Sequence, residues 1–422
     1  MKRPLVVSSK FPPEYAGSGL RAHRTYRRLA AKYGIRYKVL CSSVAFNKTG
    51  YYDFEDVSVY RIACKMFKDI EYAENITREP FLKRMVRKFK NGVNYTAEAA
   101  LTWLYLMRHK SEFDLIHIFG NNYVTAAVLT YAKIRDIPVI LEICNVSKRY
   151  IQYEPGIVGM IFGRGLPRRL KAVCISKRIR DVFKESGYSQ ETWCRPNPID
   201  TSRFFADSRK KHDVRKRLGL FADNDIVLIN VGKMCPLKNQ LFLLDVLRGL
   251  PERYKLFIGG PLVDSGPYTK EDNDYFDSIK KMTRDHGLDG RVKIEKSFIS
   301  NTDEYMKASD VYLLPSRIEA CATPILEAIA CGVPVVAHRI EGVTTEWIEE
   351  GQNGYLSELD AQLFGRKIEM AASLNKERLE SSGDRIRETA STDSIDRRYI
   401  EMIEELLVDR ASPPPRSQCP AS

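Results

Sequence analysis

The strongest constraint in this chain is an alternation that runs once and then restarts. Residues 4–9, 37–41, 114–119, 137–143 and 172–176 read as short buried strands, with helical stretches such as 19–32 between them. The pattern begins again after the Pro196-Asn197-Pro198 turn and a polar, basic stretch at 208–216. Strands are then expected at 225–231, 255–258, 292–294, 311–314 and 333–336, with a helix at 238–250 closed by Gly249. Short apolar strands alternating with helices imply a parallel sheet covered on both faces. A chain of 422 residues is too long for one core and suits two domains of about 200 residues each. The fold class is therefore α/β, with two doubly wound, Rossmann-like domains and a linker near 198–213. The expected parts are a first domain at 1–200, a second at 201–393, a helix at 394–410 and a disordered tail at 411–422 with its run of prolines.

Ligands of doubly wound sheets bind beyond the carboxyl ends of the strands, so the segments that follow strands carry the chemistry. The richest follows the strand at 311–314. It runs Ser316-Arg317-Ile318-Glu319-Ala320-Cys321-Ala322-Thr323-Pro324-Ile325-Leu326-Glu327, and on to Gly332. Thr323 reads as an N-cap, Pro324 as the first helical residue and Gly332 as the stop. Leu326, Ile329 and Ala330 give the helix a buried face. Glu319 then sits on the loop before the helix and Glu327 one turn inside it. Free backbone N–H groups and a positive dipole end lie between them, which suits a diphosphate flanked by two carboxylates that accept from sugar hydroxyls. The alternative is an ordinary amphipathic helix with glutamate near its start for dipole reasons alone.

Two glutamates seven residues apart, followed by Ala328-Ile329-Ala330-Cys331-Gly332-Val333-Pro334-Val335-Val336, resemble the signature of retaining glycosyltransferases of family 4, which have the GT-B fold. Gly232-Lys233 through Lys238 resembles the family's phosphate clamp, with Lys233 in place of the usual arginine. Asn197-Pro198-Ile199-Asp200, the strand into Pro315-Ser316, and the glycine loop Gly17-Ser18-Gly19 fall in matching order. The resemblance implies GT-B architecture with the donor in the cleft between two domains, and a last helix that crosses back to the first. With it, donor contacts are expected from Gly17, Gly19, Lys233, Lys238, Glu319, Thr323, Pro324 and Glu327, and Gly260 and Phe298 join them because their loops also follow expected strands. Of these, Lys233, Lys238 and Glu319 are the catalytic candidates. Glu327 is expected on the nucleotide ribose, Glu319 on the donor sugar, and Gly19 near the β-phosphate. The co-substrate is a nucleoside diphosphate sugar. No cofactor or metal is expected if the two lysines and the helix end neutralise the leaving diphosphate.

The chain departs from the family where Cys321 and Ala322 replace an aromatic-glycine pair, and where Cys144 or Asn145 stands in place of an acceptor-side histidine. The acceptor candidates are His117, Asn121 and Asn145, although His117 equally reads as a packed strand residue.

Nine cysteines lack CxxC or histidine spacing, which argues against a zinc site or a disulfide framework. Cys41, Cys144 and Cys174 fall at strand ends and read as core thiols. No apolar run approaches the roughly 20 residues of a membrane helix, and Met1-Lys2-Arg3 leads straight into a strand, so neither a span nor a secretory signal is expected. A cytoplasmic location, at the inner face of a membrane, is the expectation.

Charge supports the second half of that expectation. Residues 1–200 carry 35 Lys and Arg against 18 Asp and Glu, a net of +17, while residues 201–422 carry 32 against 36, a net of −4. The first half is thus the half for an anionic partner. Within it, residues 81–89 place Phe81, Leu82, Met85, Val86 and Phe89 on one helical face, rimmed by Lys83, Arg84, Arg87 and Lys88. That stretch is an interfacial helix or an ordinary surface helix packed on its own domain. No recognition motif accompanies the charge, so nucleic acid is not an expected partner. The reaction expected is transfer of a hexose to a glycan or lipid-linked acceptor. The rival readings are another GT-B enzyme, an epimerase or a phosphorylase, and a sugar-nucleotide-binding protein with a degenerate site.

Overall fold

The computed structural model describes residues 2–14, 16–43, 48–64, 81–144, 165–207, 211–262 and 269–408. The chain divides into two compact units. One holds residues up to 175, 179–194 and the last helix from Asp396; the other holds 176–178 and 195–395. The change of unit at Arg195 precedes the expected linker because Ile199 and Phe204 are buried in the second unit's core. Part of the expected linker is also ordered, as a helix at Lys211–Arg217.

The first unit is built on eight strands: β1 (Pro4–Ser8), β2 (Lys38–Ser42), β3 (Gly50–Phe54), β4 (Val57–Ile62), β5 (Leu115–Phe119), β6 (Val139–Ile143), β7 (Leu170–Cys174) and β8 (Glu191–Cys194). Their order is β3-β4-β2-β1-β5-β6-β7-β8, and all neighbours are parallel except β3 and β4. Runs such as Leu-Ile-His-Ile-Phe in β5 are buried at every position, as expected of strands covered on both faces. The β3–β4 hairpin at the edge and β8 were not foreseen. β3 alternates half-buried and exposed residues, and the hairpin turns through Glu55-Asp56, not through the Asn-Gly or Asp-Gly signals of a tight hairpin.

The expected glycine loop is already helix. Gly17 and Gly19 open the Gly17–Tyr33 helix. Gly19 is buried there, and a Cβ on it would lie 2.4 Å from the Lys10 carbonyl oxygen, so a hydrogen at this position lets the helix start close against the end of β1. The basic segment at 81–89 extends much further than expected, as one helix from Phe81 to Arg108.

The second unit carries β9 (Ile226–Val231), β10 (Tyr254–Gly259), β11 (Val292–Glu295), β12 (Val311–Leu314), β13 (Val335–His338) and β14 (Gly354–Ser357). All run parallel in the order β11-β10-β9-β12-β13-β14. This is the doubly wound order in which the winding reverses between β9 and β12, and a crevice opens there beyond the carboxyl ends of the strands. Among the described residues no helix is long and apolar enough to cross a membrane.

Candidate functional site

The site forms where the loop after β9 meets the loop after β12. After Val231 the chain passes through Gly232 and Lys233 into a short turn of 3-10 helix, Pro236–Lys238. Asn239 stands in the left-handed region at φ 57° and restarts the chain as the helix Gln240–Gly249. Its side-chain Nδ2 donates to the Pro315 carbonyl at 3.2 Å, and the Arg317 backbone N–H donates to the Leu237 carbonyl at 3.0 Å. These bonds tie the two loops together. Lys238 Nζ then lies 2.5 Å from Glu319 Oε1, with the glutamate almost buried and the lysine partly open. Lys233 Nζ is paired 2.6 Å from Asp272 Oδ2, a buried carboxylate in the first turn of the helix Thr269–Asp285.

The loop after β10 supplies Gly260. Its φ of +147° suits glycine, and a Cβ there would lie 2.0 Å from the Gly232 carbonyl oxygen. The close approach of Gly232 and Gly260 keeps the floor of the site low. Phe298, in the loop after β11, is 78% exposed and free to contact a ligand.

The glutamate helix spans Thr323–Ala330. The expected N-cap shifts by one residue. Ala322 is the cap, it offers no side-chain bond, and Thr323 is the first helical residue. The Thr323 hydroxyl is used otherwise, as the acceptor from Asn197 Nδ2 at 2.9 Å. With Pro324 in the first turn and no side-chain cap, the helix start has the uncapped, electropositive character of an anion site. Cys331 closes the helix and Gly332 follows at φ +71°, the left-handed stop that its position implied.

Glu327 occupies a distinctive environment. Burial pushes its carboxyl up to about 7, the Arg203 guanidinium pulls it down and Asp303 pushes it up. Arg203 is itself held 2.5 Å from Asp303 and 2.6 Å from the Ser300 carbonyl. The site therefore combines two lysines, a partly paired glutamate, an uncapped helix start and a carboxyl poised near neutrality. It can neutralise an anion with two cations and accept hydrogen bonds from hydroxyls on either side of it.

Lys233, Lys238, Gly260, Phe298, Glu319, Thr323, Pro324 and Glu327 all lie in the second unit, on the segments that follow β9, β10, β11 and β12. Gly17, Gly19 and Asn121 lie in the first, Asn121 half-buried after β5. Asn145 is outside the described residues, as are the side chains of Arg84, Arg87 and Lys88. His117 needs correction as an acceptor contact. It is fully buried, with Nδ1 2.9 Å from the Tyr26 hydroxyl and Nε2 3.5 Å from Glu142 Oε1. Glu142 in turn accepts from the Tyr399 hydroxyl of the last helix. An enclosed ring with these partners is part of the packing. The sequence reading missed Asp272, Asn239 and Arg203. The left-handed Asn239 had a signal in its residue type, whereas no local pattern pairs Asp272 with Lys233.

Residues 212–388 match the family Glycosyl transferases group 1. Among curated relatives, the chain is 28% identical over 205 residues to the lipopolysaccharide core biosynthesis glycosyltransferase LpsE of Rhizobium meliloti, covering 48% of this chain and 54% of that protein. It is 25% identical over 236 residues to the putative teichuronic acid biosynthesis glycosyltransferase TuaC of Bacillus subtilis, covering 55% and 54%. The chain thus spans about half the length of the curated relatives it matches. Among solved structures, HepE of Anabaena in complex with UDP and glucose aligns with a TM-score of 0.64 at 16% identity, over 96% of this chain and all of that one. The lipopolysaccharide outer core galactosyltransferase WaaB aligns with a TM-score of 0.63 at 13% identity, over 96% and 99%. The fold is GT-B. Residues 212–388, which hold Lys233, Lys238, Gly260, Phe298, Glu319 and Glu327, are the part of the chain similar to glycosyl transferases group 1.

Proposed function

We propose that the chain is a retaining glycosyltransferase of family 4 that moves a hexose from a nucleoside diphosphate sugar to a lipid-linked or cell-surface glycan precursor. The observation that carries this reading is the meeting of Lys238 and Glu319 at the point where the second sheet reverses its winding. The names of the relatives, in lipopolysaccharide core and teichuronic acid biosynthesis, support the acceptor class, and the UDP and glucose bound to HepE support the donor class.

On this reading the diphosphate lies against Lys233, Lys238 and the start of the Thr323–Ala330 helix. Its negative charge grows as the bond from the anomeric carbon to the phosphate oxygen breaks, so the two cations favour the transition state over the ground state. The acceptor hydroxyl attacks the same face and passes its proton to the leaving phosphate oxygen. Glu327 accepts from the ribose hydroxyls, and Glu319 accepts from the donor sugar once the ligand draws Lys238 toward the phosphates. The nucleotide sugar supplies the reacting group, and the reading assigns no cofactor or metal. The test is release of nucleoside diphosphate from a panel of nucleotide hexoses, with and without lipid-linked saccharide acceptors. Release that never depends on an acceptor would defeat it.

The reading includes a peripheral contact with an anionic membrane. Phe81, Leu82 and Phe89, 77, 72 and 69% exposed on one helix of the basic first half, support this reading over an ordinary packed surface helix. Lysines and arginines near an anionic surface contribute about 1 kcal/mol each. Flotation with anionic vesicles at low salt should carry the protein upward and neutral vesicles should not; equal behaviour with both removes the charge argument.

A further inference from the structure

The transferase reading uses the carboxyl edges of the sheets. A separate cavity of about 680 Å³ opens on the first unit at the amino edge of β2 and β4. It lies between the end of the Gly17–Tyr33 helix, the beginning of β2 and the β3–β4 turn. Strands of five residues separate it from the glycine-bearing helix start by roughly 15 Å. Its volume is within the range of about 300–1,000 Å³ typical of small-molecule sites. The space exists because the helix presents Ala30 and Ala31 to it, over a floor of Ile35 and Val39.

Three tyrosines shape the walls. Tyr105 is buried, stacked on Tyr60 at 4.5 Å between ring centroids, and hydrogen-bonded to the Tyr51 hydroxyl. Tyr51 packs edge-to-face on Tyr60, with centroids 4.9 Å apart, and is 56% exposed, so part of its ring faces outward. Tyr37 is half-buried against Tyr26, with centroids 5.1 Å apart. The polar groups are fixed by an unusual turn. Glu55 and Asp56 both adopt left-handed backbone, with φ of 43° and 65°, where glycine or asparagine is the ordinary choice. Glu55 anchors the turn by pairing with Arg27 and by lying 3.1 Å from His23 Nε2. That anchorage leaves Asp56 and Ser58 on the cavity wall. Arg36 stands exposed at the rim and has no ion pair among the described residues.

We propose that this cavity is an accessory saccharide site that holds neutral sugar rings of a glycan away from the reaction centre. Rigid aromatic faces match the apolar face of a hexose ring. Asp56 and Ser58 accept from its hydroxyls, and Arg36 donates to them. The charge balance favours a neutral ligand over an anionic headgroup. Arg27 and Lys38 are already paired, with Glu55 and Glu112, and Asp56 offsets Arg36. The biological role rests on the transferase reading, since a polymer-building enzyme gains from a second grip on its acceptor, but the binding chemistry does not.

The experiment is calorimetric titration of neutral tetrasaccharides of glucose, mannose and galactose into the full chain, alongside a separate titration of UDP. At least one saccharide should bind in the millimolar range or tighter. Ala31→Trp fills the cavity and Tyr51→Ala removes an exposed stacking face, and each should weaken saccharide binding at least about tenfold while leaving UDP affinity unchanged. Tyr51→Ala, at an exposed position, serves if the tryptophan variant does not fold. The proposal is overturned if no saccharide binds wild type at about 10 mM, or if binding survives in the folded variants. Saccharide binding with no binding of UDP, GDP, ADP or dTDP would leave the cavity assignment standing and remove the transferase reading.

Discussion

Glu327→Gln should stabilise the protein at alkaline pH and weaken its grip on nucleotide. The wild-type carboxyl is raised from its ordinary 4.5 to about 7 by burial. A group whose folded pKa is raised contributes stability below its unfolded pKa, and that contribution disappears as pH climbs through the folded value. For Glu327 the window is pH 4.5 to about 7. Each pH unit of that window is worth roughly 1.4 kcal/mol, so the ionised, buried carboxylate costs the folded chain on the order of 3 kcal/mol above pH 7. Glutamine keeps the shape and removes the charge. Denaturant unfolding of wild type and variant should therefore diverge by about that amount at pH 8 and converge near pH 4.5. The same logic fixes the sign for the ligand. An ionised carboxylate accepts from ribose hydroxyls better than a protonated one, so wild-type nucleotide affinity should rise as pH goes from 6 to 8, and that of the variant should stay flat. Curves that run parallel across this range, in both stability and affinity, would refute the buried-carboxyl argument.

Other variants test neighbouring parts of the account. Lys238→Ala should lower the rate constant at saturating donor by about 10²-fold, as for loss of one preorganised donor, with a smaller change in donor affinity; an unchanged rate constant in a folded variant contradicts its role on the leaving group. Gly260→Ala should destabilise the second unit by about 1–3 kcal/mol, because its Cβ meets the Gly232 carbonyl oxygen; an unchanged melting temperature would show that this approach is not tight. His117→Ala should cost about 3 kcal/mol in urea unfolding by leaving buried polar partners and a cavity, and a loss below about 0.5 kcal/mol would fit a surface residue.

Much of the architecture is legible in the sequence because parallel strands buried on both faces are short, mostly apolar runs. β1, β5, β6, β9 and β12 all have that signature. The glutamate helix is legible through Pro324 and Gly332, which act locally. What escapes is what depends on partners far along the chain. Lys233 and Asp272 are separated by a 3-10 turn, a helix, a strand and their loops, and only the fold joins them. His117 could be read either way until Tyr26 and Glu142, from other elements, were seen to enclose it. The β3–β4 hairpin was hidden by a turn that breaks the usual residue preference, and the long Phe81–Arg108 helix by the weaker pattern after its basic start. Thr323 was misplaced by one position because Asn197, in a distant segment, takes its hydroxyl.

The central claim is that the second unit is a nucleoside diphosphate sugar site built on Lys233, Lys238 and two glutamates. The most direct measurement is calorimetric titration of UDP, GDP, ADP and dTDP into wild type and into the Lys233→Ala, Lys238→Ala double variant. The account predicts that at least one of these binds wild type with a Kd in the micromolar range, and that the double variant, still folded, loses about 2–4 kcal/mol of that affinity, at roughly 1.5–3 for each charged hydrogen bond and with part offset by the freed carboxylates. Failure of all four to bind, or equal affinity in the two proteins, would contradict it.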